Sequence, residues 1–112
     1  MDEEKLKKIE KFVKEKSSER DWIHIRQMRP IGKILSDKEG ANKDIVDMAI
    51  LFHDIGKSKV GEENHEIESE KIARSFLEEN EFDGNFIQSV CDAIIRHAGP
   101  WKENGEMPQT IE

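Results

Sequence analysis

A chain of 112 residues is long enough for one hydrophobic core and too short for two. Charged residues make up 38% and hydrophobic ones 35%, so the apolar residues must be well placed for the chain to fold. The net charge of −7 argues against a nucleic-acid surface, which needs clustered Lys and Arg, and leaves room only for a local basic pocket around a phosphate.

In chain order, residues 2–16 read as a first helix, with Asp2 as its cap and Leu6, Ile9, Phe12 and Val13 on one stripe. Ser17 and Ser18 break it. A second helix begins near Arg20 or Asp21 and carries Trp22, His24, Ile25, Met28, Ile31 and Leu35, with Pro30 predicted to kink or restart it. Asp37 to Gly40 reads as a polar turn. Asn42 caps a third helix through Ile45, Val46, Met48, Ala49, Ile50, Leu51 and Phe52. Its pattern is apolar almost all round, with Asp44 and Asp47 as exceptions, which predicts burial on several sides. This is the central helix.

That helix runs into His53-Asp54-Ile55-Gly56-Lys57. Val46, Ala49, Ile50 and His53 share one face, so His53 points toward the core. Asp54 follows about 100° round the axis, near enough for both side chains to reach one ion. Gly56 stands where a left-handed turn past a helix end is expected, and Lys57 is a cation beside the pair. Adjacent His and Asp supply the nitrogen and oxygen donors that divalent first-row metals accept. A His-Asp pair at a helix end is also common by chance as a solvated surface pair, so its context decides.

Ser58 to Asn64 reads as a polar loop containing Gly61, and Asn64 caps a fourth helix through Ile67, Ile72, Ala73, Phe76 and Leu77. Glu78 to Glu81 forms an acidic turn. Asp83 caps a fifth helix with Phe86, Ile87, Val90, Ala93, Ile94 and His97, ended by Gly99-Pro100. The single Cys91 on that helix cannot form an internal disulfide and reads as a core thiol. Residues 100–109 read as a loop containing Trp101, and Thr110-Ile111-Glu112 as the first turn of a sixth helix. No run alternates as a strand does, so the class is all-α, a compact bundle of five to six helices in a single domain over residues 1–112. No apolar run approaches the ~18 residues of a membrane span, and the acidic, Lys-rich N-terminus does not read as a signal peptide; a cytoplasmic protein is expected.

The four histidines each fall on the apolar stripe of a different predicted helix. His24 aligns with Met28, Ile31 and Leu35, His65 with Ser69, Ile72 and Phe76, and His97 with Val90 and Ile94. One core-facing histidine is usually bonded to a carbonyl or water. Four imidazoles buried without partners would be costly, and a shared metal would satisfy them together.

His24 followed by His53-Asp54 in HDIGK, the segment Asn64 to Ala73, and Ala93-Ile94-Ile95-Arg96-His97 together resemble the HD-domain superfamily of metal-dependent phosphohydrolases, over about Asp21 to Glu112. The resemblance implies a helical bundle holding one or two divalent ions (Mn, Fe, Ni, Co, Zn or Mg). His24, His53 and Asp54 match the shared ligands. His65 and His97 match positions that hold a second ion, and Lys57 matches a lysine near the substrate phosphate. The family's final aspartate ligand would fall on a helix after Thr110-Ile111-Glu112, which this sequence does not reach, and Ala98 stands where some dinuclear members carry another histidine.

The implied activity is cleavage of a phosphoester in a nucleotide or other small phosphorylated metabolite. An ion held by imidazoles and Asp54 brings bound water to a pKa of roughly 7, and the resulting hydroxide attacks phosphorus with Asp54 and Lys57 as the catalytic pair. Arg26, Arg29 and Lys33 either line a phosphate pocket or are ordinary surface cations, their commoner role. Trp101 either stacks on a base or pins its loop. A silent HD-fold module that binds a nucleotide or partner, and a di-iron oxygenase, are the alternatives from other classes.

Overall fold

The computed structural model describes residues 2–60 and 65–104, with side chains at 2–57, 59–60 and 65–96. Its elements are six helices, α1 (Glu3–Lys16), α2 (Glu19–Glu39), α3 (Lys43–Phe52), α4 (Lys57–Val60), α5 (His65–Glu79) and α6 (Gly84–Asn104), with no strand among the described residues. The fold is all-α, as expected from the sequence. The helix starts follow local chemistry. Asp2, Ser18, Asn42 and Asp83 each turn a side-chain oxygen onto backbone N–H groups of the first turn, which otherwise lack acceptors.

α3 is the axis of the bundle. Val46 through Phe52 are all buried, and α1, α2, α5 and α6 pack around the helix. Gly32 of α2 lets those two helices approach closely: a side chain there would run into Ile50 Cδ1 and lie 3.3 Å from Val46 Cγ1. At the other end of α3, Phe52 joins Phe12 of α1 and Phe76 of α5, the latter two stacked at 4.2 Å between centroids. This aromatic cluster fixes the end of α3 immediately before His53.

The buried charge was not foreseen. Asp47 lies on the inward face of α3, where Arg29 of α2 grips both its oxygens at 2.8 and 2.9 Å and reaches Glu10 of α1 at 2.7 Å. The bond to Asp47 raises the Arg29 pKa further; burial opposes this, and Glu10 adds to it. Arg29 therefore ties three helices together and does not line a phosphate pocket, whereas Arg26 and Lys33 are exposed.

Several boundaries also differ from expectation. Of the two outcomes expected at Pro30, a restart does not occur, since α2 runs through it; Pro30 and Arg26, whose carbonyl loses a helical donor, are both exposed, where solvent can replace the bond. Asp37–Glu39 continue the helix on its solvated side, and only Gly40 leaves it. Glu78 and Glu79 likewise belong to α5. α6 passes through Gly99-Pro100 to Asn104, because a proline removes one helical bond without stopping the bonds on either side. Residues 100–104 are thus helical and not a loop. Part of the expected polar loop is also the helical turn α4. Gly61, the cap at Asn64, residues 105–109, the turn at Thr110 and Glu112 lie outside the described residues.

Candidate metal centre

The site grows from the end of α3. His53 is its C-terminal cap residue and is still in the right-handed helical conformation, φ −62° and ψ −29°. Beyond it the chain closes tight turns, Ile55 N–H to the Phe52 carbonyl and Lys57 N–H to the Asp54 carbonyl, and re-enters a helix at α4. Gly56 does not take the predicted left-handed conformation; among described glycines only Gly40 has a positive φ. The glycine is needed for close approach. A Cβ on Gly56 would collide with the His65 carbonyl oxygen and sit 2.7 Å from Ser69 N. Ser69 Oγ accepts the Gly56 N–H at 2.8 Å, so the turn is docked directly on α5.

That docking puts Asp54 between two imidazoles. His53 Nε2 lies 3.1 Å from Asp54 Oδ2, and His65 Nε2 lies 2.9 Å from Asp54 Oδ1. His53 and His65 are both buried. Lys57 Nζ stands 3.6 Å from Asp54 Oδ2 and 4.0 Å from Asp21 Oδ1 of α2. Burial alone would raise the Asp54 pKa. The bond from His53 and the charges of His53, Lys57 and His65 outweigh that and hold the carboxyl well below the usual range.

The tautomer of His53 bears on what this cluster can bind. His53 Nδ1 is 2.6 Å from the Ile50 carbonyl, which can only accept, so Nδ1 carries a proton. Nε2 is the ring nitrogen left to face the carboxylate. A proton on Nε2, or a metal ion shared by Nε2 and the carboxylate, would satisfy both atoms. A backbone carbonyl holding the far nitrogen is also how metal-ligating imidazoles are usually oriented. Ligand atoms about 2.1 Å from an ion and at right angles lie about 3.0 Å apart, close to both His–Asp separations. The donor types, and each His–Asp separation taken as a pair, are compatible with two ligands of one divalent ion.

The wider ligand set is only partly assembled. His24 is exposed, because α2 buries Ile25, Met28, Gly32 and Ser36, a stripe one position away from the predicted one, and leaves Ile31 half exposed. Its ring still faces His53, with centroids 6.3 Å apart. The side chains of His97 and Trp101 lie outside those described. Among the described residues no three ligating side chains converge as a ready-made metal cluster; instead Asp54 pairs one oxygen with His53 and the other with His65, Lys57 stands beside it, and His24 lies at the edge. Sequence reasoning missed Asp21 and Ser69 as neighbours of the site, though each is one helical turn from a histidine, at i−3 from His24 and i+4 from His65.

A family model described as the HD domain matches residues 21–112. An uncharacterized protein of Clostridium beijerinckii (strain ATCC 51743 / NCIMB 8052) is 30% identical over 104 residues, which cover 88% of this chain and 66% of the relative. The chain thus spans a little under two thirds of that relative's length. No solved structure matched.

Proposed function

The chain belongs to the HD-domain family, whose members are generally hydrolases that bind divalent metals, and from that premise we propose that it is a metal-dependent phosphohydrolase acting on a nucleotide or another small phosphorylated metabolite. The observation that carries this reading is the placement of Asp54 between two imidazoles, Oδ2 at 3.1 Å from His53 Nε2 and Oδ1 at 2.9 Å from His65 Nε2, with His53 Nδ1 turned to the Ile50 carbonyl. In this reading His53, Asp54 and His65 hold the ion, His24 closes in from α2, and His97 contributes from α6. The ion would supply Lewis acidity and make water nucleophilic near neutral pH.

The protein's own groups then divide the work. The Ile50 carbonyl keeps the His53 ring oriented. Asp54 stays ionised at neutral pH and takes up positive charge on both sides. Lys57, on the turn beside Asp54, offsets the negative charge gathering on phosphoryl oxygens. The reading places the protein in the cytoplasm, where a single reduced thiol such as Cys91 persists.

Phosphate release from a panel of nucleotides and phosphomonoesters, with Mn²⁺ or Co²⁺ supplied, tests it. Release that disappears in Asp54→Ala is expected. Binding of a nucleotide without release would instead make the chain a silent module, and dioxygen consumption by the iron-loaded protein would make it an oxygenase.

A further inference from the structure

α5 touches the HDIGK turn at two points one helical turn apart. His65 Nε2 meets Asp54 Oδ1 at 2.9 Å, and Ser69 Oγ accepts the Gly56 N–H at 2.8 Å. Both α5 residues are buried, His65 at 1% exposure and Ser69 at 0%. Gly56, also buried, lies so close to α5 that no side chain fits there. Asp54 is two residues before Gly56 in a turn whose backbone is already closed by short-range bonds. A shift at Gly56 is therefore passed on to Asp54.

We infer that Ser69 is a positioning residue of this centre: its hydroxyl fixes the turn on α5 and so sets the separation of Asp54 from His65. Without that oxygen the Gly56 amide would be buried with no acceptor there, a costly state that moving the turn away from α5 relieves. Serine suits the position because its short side chain reaches the amide while leaving room for the close approach of Gly56. Such a role belongs to the metal centre proposed above, so the test must separate the two.

The ring-nitrogen NMR shifts of His65, read in metal-free protein at fixed pH, report the Asp54 contact. Visible absorption on titration with Co²⁺ reports the assembled site. Ser69→Ala is expected to move the His65 resonances and to weaken Co²⁺ binding about 10- to 100-fold, the usual effect of losing a group that orients metal ligands. Ala73→Gly loosens the same helix at the next turn and should lower thermal stability while changing neither readout. Ser69→Gly also removes the acceptor and adds no atom that could ligate Co²⁺. It must change both readouts in the direction of Ser69→Ala, and it serves in its place should the alanine variant fail to fold. Wild-type resonances and Co²⁺ affinity in these Ser69 variants, or equal changes in Ala73→Gly, would overturn the assignment. If the wild type binds no Co²⁺, the metal reading fails, and the His65 resonances alone decide whether Ser69 positions the pair.

Discussion

Lys57 lies between two carboxylates, Asp54 Oδ2 at 3.6 Å and Asp21 Oδ1 at 4.0 Å, and its charge, unlike the imidazoles, has no lone pair to offer a metal. Lys57→Ala should therefore keep the metal and lose turnover, by about two orders of magnitude or about 3 kcal/mol at the transition state. Metal content and phosphate release measured on the same sample check this, and an unchanged rate would make Lys57 a surface residue. Cys91 allows a second prediction away from the site. Burial pushes its thiol up to about 11, with Glu70 adding to the effect and Arg74 opposing it. The ordinary thiol value is 9.0. Between that and about 11 only the unfolded chain gives up the proton, so stability falls as pH rises through that window, by about 2 kcal/mol at its upper end. Denaturant midpoints should show that slope in the wild type and a flatter one in Cys91→Ala.

Among the elements, the turn between α3 and α5 depends most on one residue. Gly56→Ala sets a Cβ against backbone atoms of His65 and Ser69, which cannot rotate aside, so it should cost at least about 1–3 kcal/mol and separate Asp54 from His65. Gly84→Ala, with open space around it, should change stability by no more than about 0.5 kcal/mol. Thermal melts of the two variants check the contrast. The helices themselves were legible from local signals: the Leu6-to-Val13 stripe, the caps at Asp2, Asn42 and Asp83, and the all-round apolar pattern of α3 depend on neighbours in sequence. The HDIGK motif and its histidine at position 65 were legible for the same reason. What stayed hidden depends on partners distant in sequence. Asp47 reads only as an exception to the apolar pattern until Arg29, 18 residues away, is packed against it. Gly56 reads as a turn glycine until α5 is laid beside it. The stripe of α2 was read one position off, which made exposed His24 look buried, because a small shift in helix rotation moves a flank residue across the boundary.

On the scale of the whole molecule, a Cα radius of gyration of 12.8 Å matches the ~13 Å of a compact chain of this length, so there is room for one core and for a site at its edge. Around α3 that core presents two buried imidazoles, a partly buried carboxylate and a partly buried lysine at one end of the bundle. The Arg29–Asp47–Glu10 network lies between α1, α2 and the earlier part of α3, away from those groups, and serves the fold. The central claim is that the His53–Asp54–His65 cluster exists to hold a cation other than a proton. Its most direct test is elemental analysis of the purified protein after Mn²⁺ or Co²⁺ loading and gel filtration, alongside His53→Ala and Asp54→Ala variants shown by circular dichroism to remain helical. The account predicts one or two divalent ions retained per wild-type chain and loss of that metal in both variants. Metal content that is the same in all three proteins, or absent from the wild type, would contradict it.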